Sequence, residues 1–574
     1  MSPLPGTTSA APTSSAGPVP SLNGILPPER RALWDPGLNA VGGIPDRTTV
    51  FTTLSPSGGD DTDAIQAALD ACPVDQVIQL GPGTFHISAE GLAITHSNVT
   101  LRGSGPATRL ERTDDGMDFP VIIIGTRWYK YTAPVALADD APQGSYSVTL
   151  AQATDMQPGQ LVTLDEETDP QLTQWGTRSL PGDPSRGWFG EPDRPIGQVM
   201  EVQSVNGTEV TFTTPLHIGL QTRYNAHLVG FSDNPGGQPV ATVRLSGVED
   251  LYVSGGRGGD GGGNIHLFAT AYSWVKDVES DRSIGASVNL DGTFRSVLRD
   301  SYLHSTLDPN PGGGGYGIAL DNYAADNLIE NNISWNFNKV MVMRTTGGGN
   351  VIGYNYMEDG WGQGYPTIVE VGLNASHMTT PHYELFEGNQ SFNFDSDSVW
   401  GNAIDITVFR NDLTALRRSV SPLELSDQNN RRAIGLTVGH WWYSFIGNIL
   451  GADGQQPTPP GQTSFAYEVD TFESDDPVPM WKLGYNGEDG SAPQDSSVVQ
   501  STIRNGNFDY VTNATHWDPA YSQDLPPSLY LTTKPDFFGA DAWPWVVPDA
   551  PTPQLGELPA RVRFDQIHAA DLAP

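Results

Sequence analysis

The sequence predicts an all-β solenoid, a stack of short strands wound into coils, and three observations carry that prediction. Between Ser273 and Leu450, short apolar runs (297–300, 328–331, 351–354, 385–388, 408–410 and 445–447) each end at a small polar residue or an asparagine: Ser301, Asn332, Asn355, Asn389, Asn411 and Asn448. The beat is regular: Asn332 and Asn355 lie 23 residues apart and Asn389 and Asn411 lie 22 apart, while gaps of 31, 34 and 37 fit the same period with loops inserted. Finally, 64 glycines and 46 prolines against 17% charged residues suit a chain of many turns and short strands, and 37% hydrophobic residues sustain a continuous core.

The elements follow in order. Residues 1–25 are rich in Pro, Ser, Thr and Ala and read as a flexible leader without the basic start and apolar stretch of a signal peptide. Acidic residues Asp60, Asp61 and Asp63 precede Ile65, Ala68, Leu69 and Cys72, which share one face at helical spacing, so a short helix with an acidic N-terminus is expected there. Cys72, the single cysteine, excludes an internal disulfide and a thiolate-rich zinc site, and its apolar neighbours make it a buried thiol. Strands are then expected at 77–80, 84–87, 92–94 and 98–102, with Val77 and Val99 one rung apart.

This stretch, from Gly59-Asp60-Asp61-Thr62-Asp63-Ala64-Ile65-Gln66-Ala67-Ala68 through Leu80-Gly81-Pro82-Gly83-Thr84-Phe85 to Val99-Thr100-Leu101-Arg102-Gly103-Ser104-Gly105, resembles the N-terminal segment of pectate-lyase-superfamily proteins. The resemblance implies a right-handed parallel β-helix capped by the helix around Ile65. It also implies a class: secreted carbohydrate-active proteins such as polysaccharide lyases, glycoside hydrolases and phage tailspikes. Beyond residue 240 only the rung pattern continues it, and a fold hosts many activities.

Five segments are therefore expected: the leader 1–25, the N-terminal cap and first rungs at 26–125, an inserted β-rich subdomain at 126–235, central rungs with a groove at 236–455, and C-terminal rungs with a cap at 456–574. In the insertion the period lapses and runs such as 145–150, 160–164, 197–202 and 209–212 read as antiparallel strands. Its loop 173–194 holds Trp175, Trp188 and Phe189, aromatics that either pin the loop or lie over sugar. The Pro- and Trp-rich C-terminal stretch is expected to close the open end of the solenoid.

The strand before each asparagine-ended run is the groove strand in the implied class. These strands fall at 264–268, 287–291, 317–322, 340–344, 367–372, 399–402 and 436–440. Alternation points Ile265, Leu267, Val288, Leu290, Ile318, Leu320, Met341, Met343, Val369 and Val371 inward. The outer row then reads Asp291, Asp321, Arg344 and Glu370 on consecutive rungs, with His266 one rung earlier and Asn289 beside it. Stacked carboxylates flanking a guanidinium suit acid/base work on a glycosidic bond, because one acid raises its neighbour's pKa while Arg344 holds the other ionised. Trp361, Tyr365, His440 and Trp441 are candidate sugar contacts. Glu330, Glu387 and Arg410, just before the asparagine turns, are expected to be solvated, and His377 and His382 fit no metal-ligand spacing.

A net charge of −37 opposes nucleic acid and anionic membranes as partners, and no run of eighteen apolar residues offers a membrane span. The partner expected is a polysaccharide or oligosaccharide, the location extracellular or periplasmic, and the state monomeric, with a trimer open. Three functions compete: a secreted glycoside hydrolase using Asp291, Asp321 and Glu370 with Arg344 and needing no cofactor; a polysaccharide lyase in which these acids hold Ca²⁺ and Arg344 abstracts the proton; and a glycan-binding module without catalysis. Five lysines in the chain are few for a polyuronate groove.

Overall fold

The computed structural model describes residues 20–113, 119–176, 193–257, 262–307, 314–360, 372–397, 400–416, 432–455, 465–469, 477–485, 495–549 and 553–570. One turn of the chain shows how the rest is built. Strand Val297–Arg299 leads to Tyr302–Thr306, then to Tyr316–Asp321, and returns as Leu328–Glu330 directly beside its start, pairing Val297 with Leu328 and Arg299 with Glu330 in parallel. Repeated along the chain, this winds three parallel sheets. Sheet I runs from Val50–Leu54 to Ile503–Asn505, sheet II from Gly83–Ile87 to Asn507–Asp509, and sheet III from Leu92–Ile94 through Gly263–Phe268, Ala286–Asp291, Tyr316–Asp321 and Lys339–Arg344. Parallel crossovers of this kind are right-handed, and the fold is the right-handed parallel β-helix. Ile265, Leu267, Val288, Leu290, Ile318, Leu320, Met341 and Met343 all lie in its central apolar core, while Val369 and Val371 fall outside the described residues.

The recurring asparagines form a single hydrogen-bonded ladder at the turn from sheet I to sheet II. Asn355 Oδ1 accepts from both the backbone N–H and Nδ2 of Asn332, Asn389 does the same for Asn355, and Asn411, Asn448 and Asn507 continue the series. Each Nδ2 also donates to a backbone carbonyl of the preceding rung, such as Ile329 O for Asn355 at 2.9 Å. A buried turn cannot leave its backbone groups unpaired, and one amide per rung satisfies them. A second ladder at the turn from sheet III to sheet I runs from Ser296 through Asn327 and Asn350 and ends on Glu384.

Helix Thr62–Ala71 opens the solenoid. Asp60 Oδ1 accepts from the Thr62 N–H, and Ile65 and Leu69 pack inward with Cys72. Gln66 exchanges hydrogen bonds with both backbone groups of Ala93, which closes the free edge of the first sheet III strand.

Among the described residues, seven strands between Lys130 and Ser232 pair antiparallel and leave the coil's register intact, because Ile124 pairs with both Ile94 and Leu267 across the interruption. Their sheet docks at the turn after sheet III. Val199 N donates to Tyr323 O at 3.0 Å, His217 Nε2 meets Asp326 Oδ1 at 2.8 Å, and Thr214 Oγ1 donates to Asp326 Oδ2. Gly349 (φ +72) passes so close that a Cβ there would strike the Asp326 carboxyl and the His217 ring.

Both chain ends run along the stack. Residues 30–47 form a strap along the sheet III to sheet I turn, with Arg30 bonded to Ser501 O, Trp34 Nε1 to Tyr383 O and Arg47 to Leu245 O. The C-terminal stretch does two things: strands Ile503–Asn505 and Asn507–Asp509 continue the stack, and the Pro- and Trp-rich part that follows folds back over the outer face of sheet I. Leu529 N donates to Glu387 Oε2, Tyr530 OH to Glu330 Oε1 and Trp545 Nε1 to Gly388 O, while Arg410 donates to the carbonyls of Leu525, Pro526 and Val546. Glu330, Glu387 and Arg410 are thus buried rather than solvated, because a strand's outer face becomes interior once a tail lies on it. The edge after Asn507–Asp509 is taken by an antiparallel strand, Ala514–His516. Among the described residues no helix is long and apolar enough to cross a membrane.

Candidate functional site

The outer face of sheet III carries its polar side chains in columns that parallel pairing sets in register. Phe268, Asp291, Asp321 and Arg344 are direct neighbours on four successive strands, and His266, Asn289, Ala319 and Val342 form the next column. Strands in a sheet lie about 4.8 Å apart, so side chains in one column touch. The row Asp291, Asp321, Arg344 therefore stands as the spacing predicts. His266 sits one column over, facing Asn289, with its Nε2 3.7 Å from Asp291 Oδ2.

Outer strand positions are ordinarily solvated; here they are covered. Asp291 is 8%, Asp321 4%, Arg344 4% and His266 9% exposed. Tyr129, from the inserted segment, packs on Phe231 and Phe268 and donates its hydroxyl to Asp291 Oδ1 at 3.1 Å, while Asn322 Nδ2 reaches the same oxygen at 2.7 Å. His266 stacks on Phe268 with centroids 4.7 Å apart. The insertion thus walls the face at Asp291.

Asp321 and Arg344 form a two-pronged ion pair in which Nε meets Oδ1 and Nη2 meets Oδ2. Burial raises the Asp321 carboxyl above its ordinary range and Asp291 pushes the same way, while Arg344 pulls against both. With both oxygens engaged, Asp321 is a poor proton donor, and Arg344 is not free to act as the base that the elimination alternative requires. Asp291 is the better placed carboxylate, with one oxygen held by two donors and the other facing His266.

A second network adjoins it. Tyr316 and Lys339 pair in register on neighbouring strands. Tyr316 OH meets His377 Nε2 at 3.1 Å, His377 Nδ1 meets Asp397 Oδ2 at 2.7 Å, and Lys339 Nζ reaches Asp397 Oδ2 at 2.7 Å. Burial and then Lys339 lower the His377 pKa, so the imidazole is neutral and can accept from the phenol. Against its own burial, Lys339 and His377 hold the Asp397 carboxyl well below the usual carboxylate range. The Arg344 guanidinium carbon lies 5.9 Å from the Tyr316 ring centre and joins the two networks.

The other expected contacts separate from this face. His440 is wholly buried, its Nδ1 3.0 Å from Thr437 Oγ1, and burial lowers its pKa to about 4; an enclosed ring offers no face to a sugar, which corrects that expectation. Trp441 is half-buried and donates to Asp495 Oδ2 at 3.0 Å. Glu370, Trp361 and Tyr365 lie outside the described residues, as do Trp188 and Phe189. Among the described residues no group of three or more His, Cys, Asp or Glu side chains stands close enough to hold a metal ion. Of the acids named for the calcium alternative, Asp321 is paired with Arg344 and Glu370 lies outside the described residues.

Sequence reasoning missed Tyr316 and Lys339, although their spacing of 23 residues is the same beat that found Asp321 and Arg344. Tyr129, Asn322, His377 and Asp397 come from turns and inserted segments, where period carries no register.

The fold and this face together define a right-handed parallel β-helix with a polar, partly enclosed outer sheet. No family model and no curated protein matches the sequence. Among solved structures, the chain is similar to the tailspike gp61 of Pseudomonas phage phi297, at 14% identity and TM-score 0.44 over 74% of this chain and 64% of that one. It is also similar to the tailspike gp49 of Pseudomonas phage LKA1 (14%, TM-score 0.45, 73% and 62%) and to the A-module of the Azotobacter vinelandii mannuronan C-5 epimerase AlgE6 (13%, TM-score 0.36, 79% and 95%). The chain spans less than two thirds of the length of either tailspike.

Proposed function

We propose that this protein is a polysaccharide-cleaving β-helix enzyme, a glycoside hydrolase working on the outer face of sheet III, with Asp291 as the carboxylate that acts on the substrate. The observation that carries this reading is the in-register row Asp291, Asp321, Arg344, in which, among the described residues, Asp291 Oδ1 is held by Tyr129 and Asn322 while Oδ2 faces His266 at 3.7 Å. The Asp321–Arg344 pair positions the guanidinium toward substrate hydroxyls rather than serving as an acid. Glu370, the other carboxylate of this reading, follows on the next expected rung. On this reading the protein acts extracellularly or in the periplasm, as a monomer or a trimer, and requires no cofactor. A panel of polysaccharides with product mass analysis tests it: new reducing ends without a new ultraviolet-absorbing double bond are expected.

A second reading, β-elimination on an acidic polysaccharide, is favoured by one observation, the Tyr316, His377, Asp397 relay. There a neutral imidazole accepts from a phenol and is oriented by a carboxylate, the arrangement that activates a base. Ultraviolet absorbance from unsaturated ends, lost in Tyr316→Phe, would establish this reading over hydrolysis.

A further inference from the structure

The C-terminal tail that closes the outer face of sheet I leaves a cavity of about 360 Å³ on the outer face of sheet II, within the size range of small-molecule sites. Gln390 and Asp412, register partners on neighbouring strands, form its floor, and Gln390 Nε2 donates to Asp412 Oδ2 at 2.7 Å. Helix Pro559–Ile567 borders it, anchored by Phe564 against Tyr356 with centroids 4.8 Å apart, and contributes Arg561. Tyr510, the turn residue Asp453 and Glu358 also line it.

An empty packing defect is normally apolar; this cavity combines apolar walls such as Leu416, Ala452 and Leu555 with buried acceptors. Gln390 is 3% exposed, and its Oε1 has no hydrogen-bond partner among the described residues. Three acidic side chains, Glu358, Asp412 and Asp453, line it against one guanidinium, Arg561, so the lining favours a ligand rich in donors over an anion. The Tyr510 ring adds an apolar face of the kind on which a pyranose rests.

We propose that this cavity is a second carbohydrate site, separate from the sheet III face, which binds a non-acidic pyranose through hydroxyl donors to Asp412 and Gln390 and through the Tyr510 ring. The choice of a sugar rests on the function proposed above; the preference for a donor-rich, non-anionic ligand rests on the lining alone.

The test uses the full chain with glucose, galactose and glucosamine as probes and glucuronate as the acidic counterpart, followed by saturation-transfer NMR and calorimetry. Saturable binding of at least one non-acidic probe is expected, weakened roughly tenfold or more in both Asp412→Asn and Tyr510→Ala, with glucuronate binding more weakly by a similar factor. Melting curves identify any variant that fails to fold, and Asp453→Ala, at an exposed rim position, then serves in its place with a smaller expected loss. Asp291→Asn should bind these probes as the native chain does while losing turnover, so the two sites fail independently. Absence of saturation by every probe, equal binding of glucuronate, or binding untouched by these substitutions would overturn the proposal and leave the cavity to water.

Discussion

Arg344 reaches across one rung to hold both carboxylate oxygens of Asp321, and each side chain is only 5% exposed. A buried pair of this kind adds little net stability, yet removing one partner strands the other charge. Arg344→Met should therefore cost about 3–5 kcal/mol in urea denaturation, and the double change Arg344→Met with Asp321→Leu should recover most of it. A single variant as stable as the native chain would show that the pair is not closed from solvent.

The amide ladder predicts a second cost. Asn389 accepts from two groups of Asn355 and donates to Ile352 O and Asn411 Oδ1, all buried. Asn389→Ala leaves several of these unpaired, at about 1–3 kcal/mol each. Chemical denaturation should show a loss of at least about 3 kcal/mol, against almost none for Asn234→Ala on an exposed turn.

Stability should depend on pH with a definite sign. Burial raises Glu384 and Asp405 to about 8 and Glu166, Glu387 and Asp412 to about 7. A carboxyl whose folded pKa is raised binds its proton more tightly in the folded chain. Its contribution is complete below the unfolded value near 4 and is lost as pH rises toward 8. Asp397 has the opposite sign and weakens the fold as pH falls below about 4. The melting temperature should accordingly be higher at pH 5 than at pH 8. Glu384→Gln, which replaces the carboxyl at the end of the second ladder with an amide, should flatten that slope, and an unchanged slope would remove Glu384 from the account.

The tail over sheet I gives a structural prediction. Trp545 is 2% exposed and donates to Gly388 O at 2.7 Å. Trp545→Ala should cost about 3–5 kcal/mol and make the chain around Leu525 and Leu529 accessible to limited proteolysis, with the stack beneath still protected. Cleavage no faster than in the native chain would mean that the tail is held elsewhere.

What the sequence makes legible is what the period governs. The 23-residue beat carries Asp321 onto Arg344 and the asparagines onto one another, because stacked coils repeat their hydrogen bonding. It is silent on anything laid across the coils. Glu330, Glu387 and Arg410 look solvated in the rung pattern and are buried by a tail some 120 to 200 residues away in the chain. His440, placed by counting on a groove strand, lies beyond the strand Ile434–Thr437 and turns into the interior. Tyr129 reaches Asp291 from 162 residues away, a contact no local pattern encodes.

The central claim, that the sheet III face cleaves polysaccharide through Asp291, is tested most directly by turnover of Asp291→Asn on whichever polysaccharide the native chain degrades. The substitution keeps size and the Tyr129 contact, so folding should be preserved by melting curve, and the account predicts a fall in kcat of at least about 100-fold. Native turnover in a folded Asp291→Asn would contradict it.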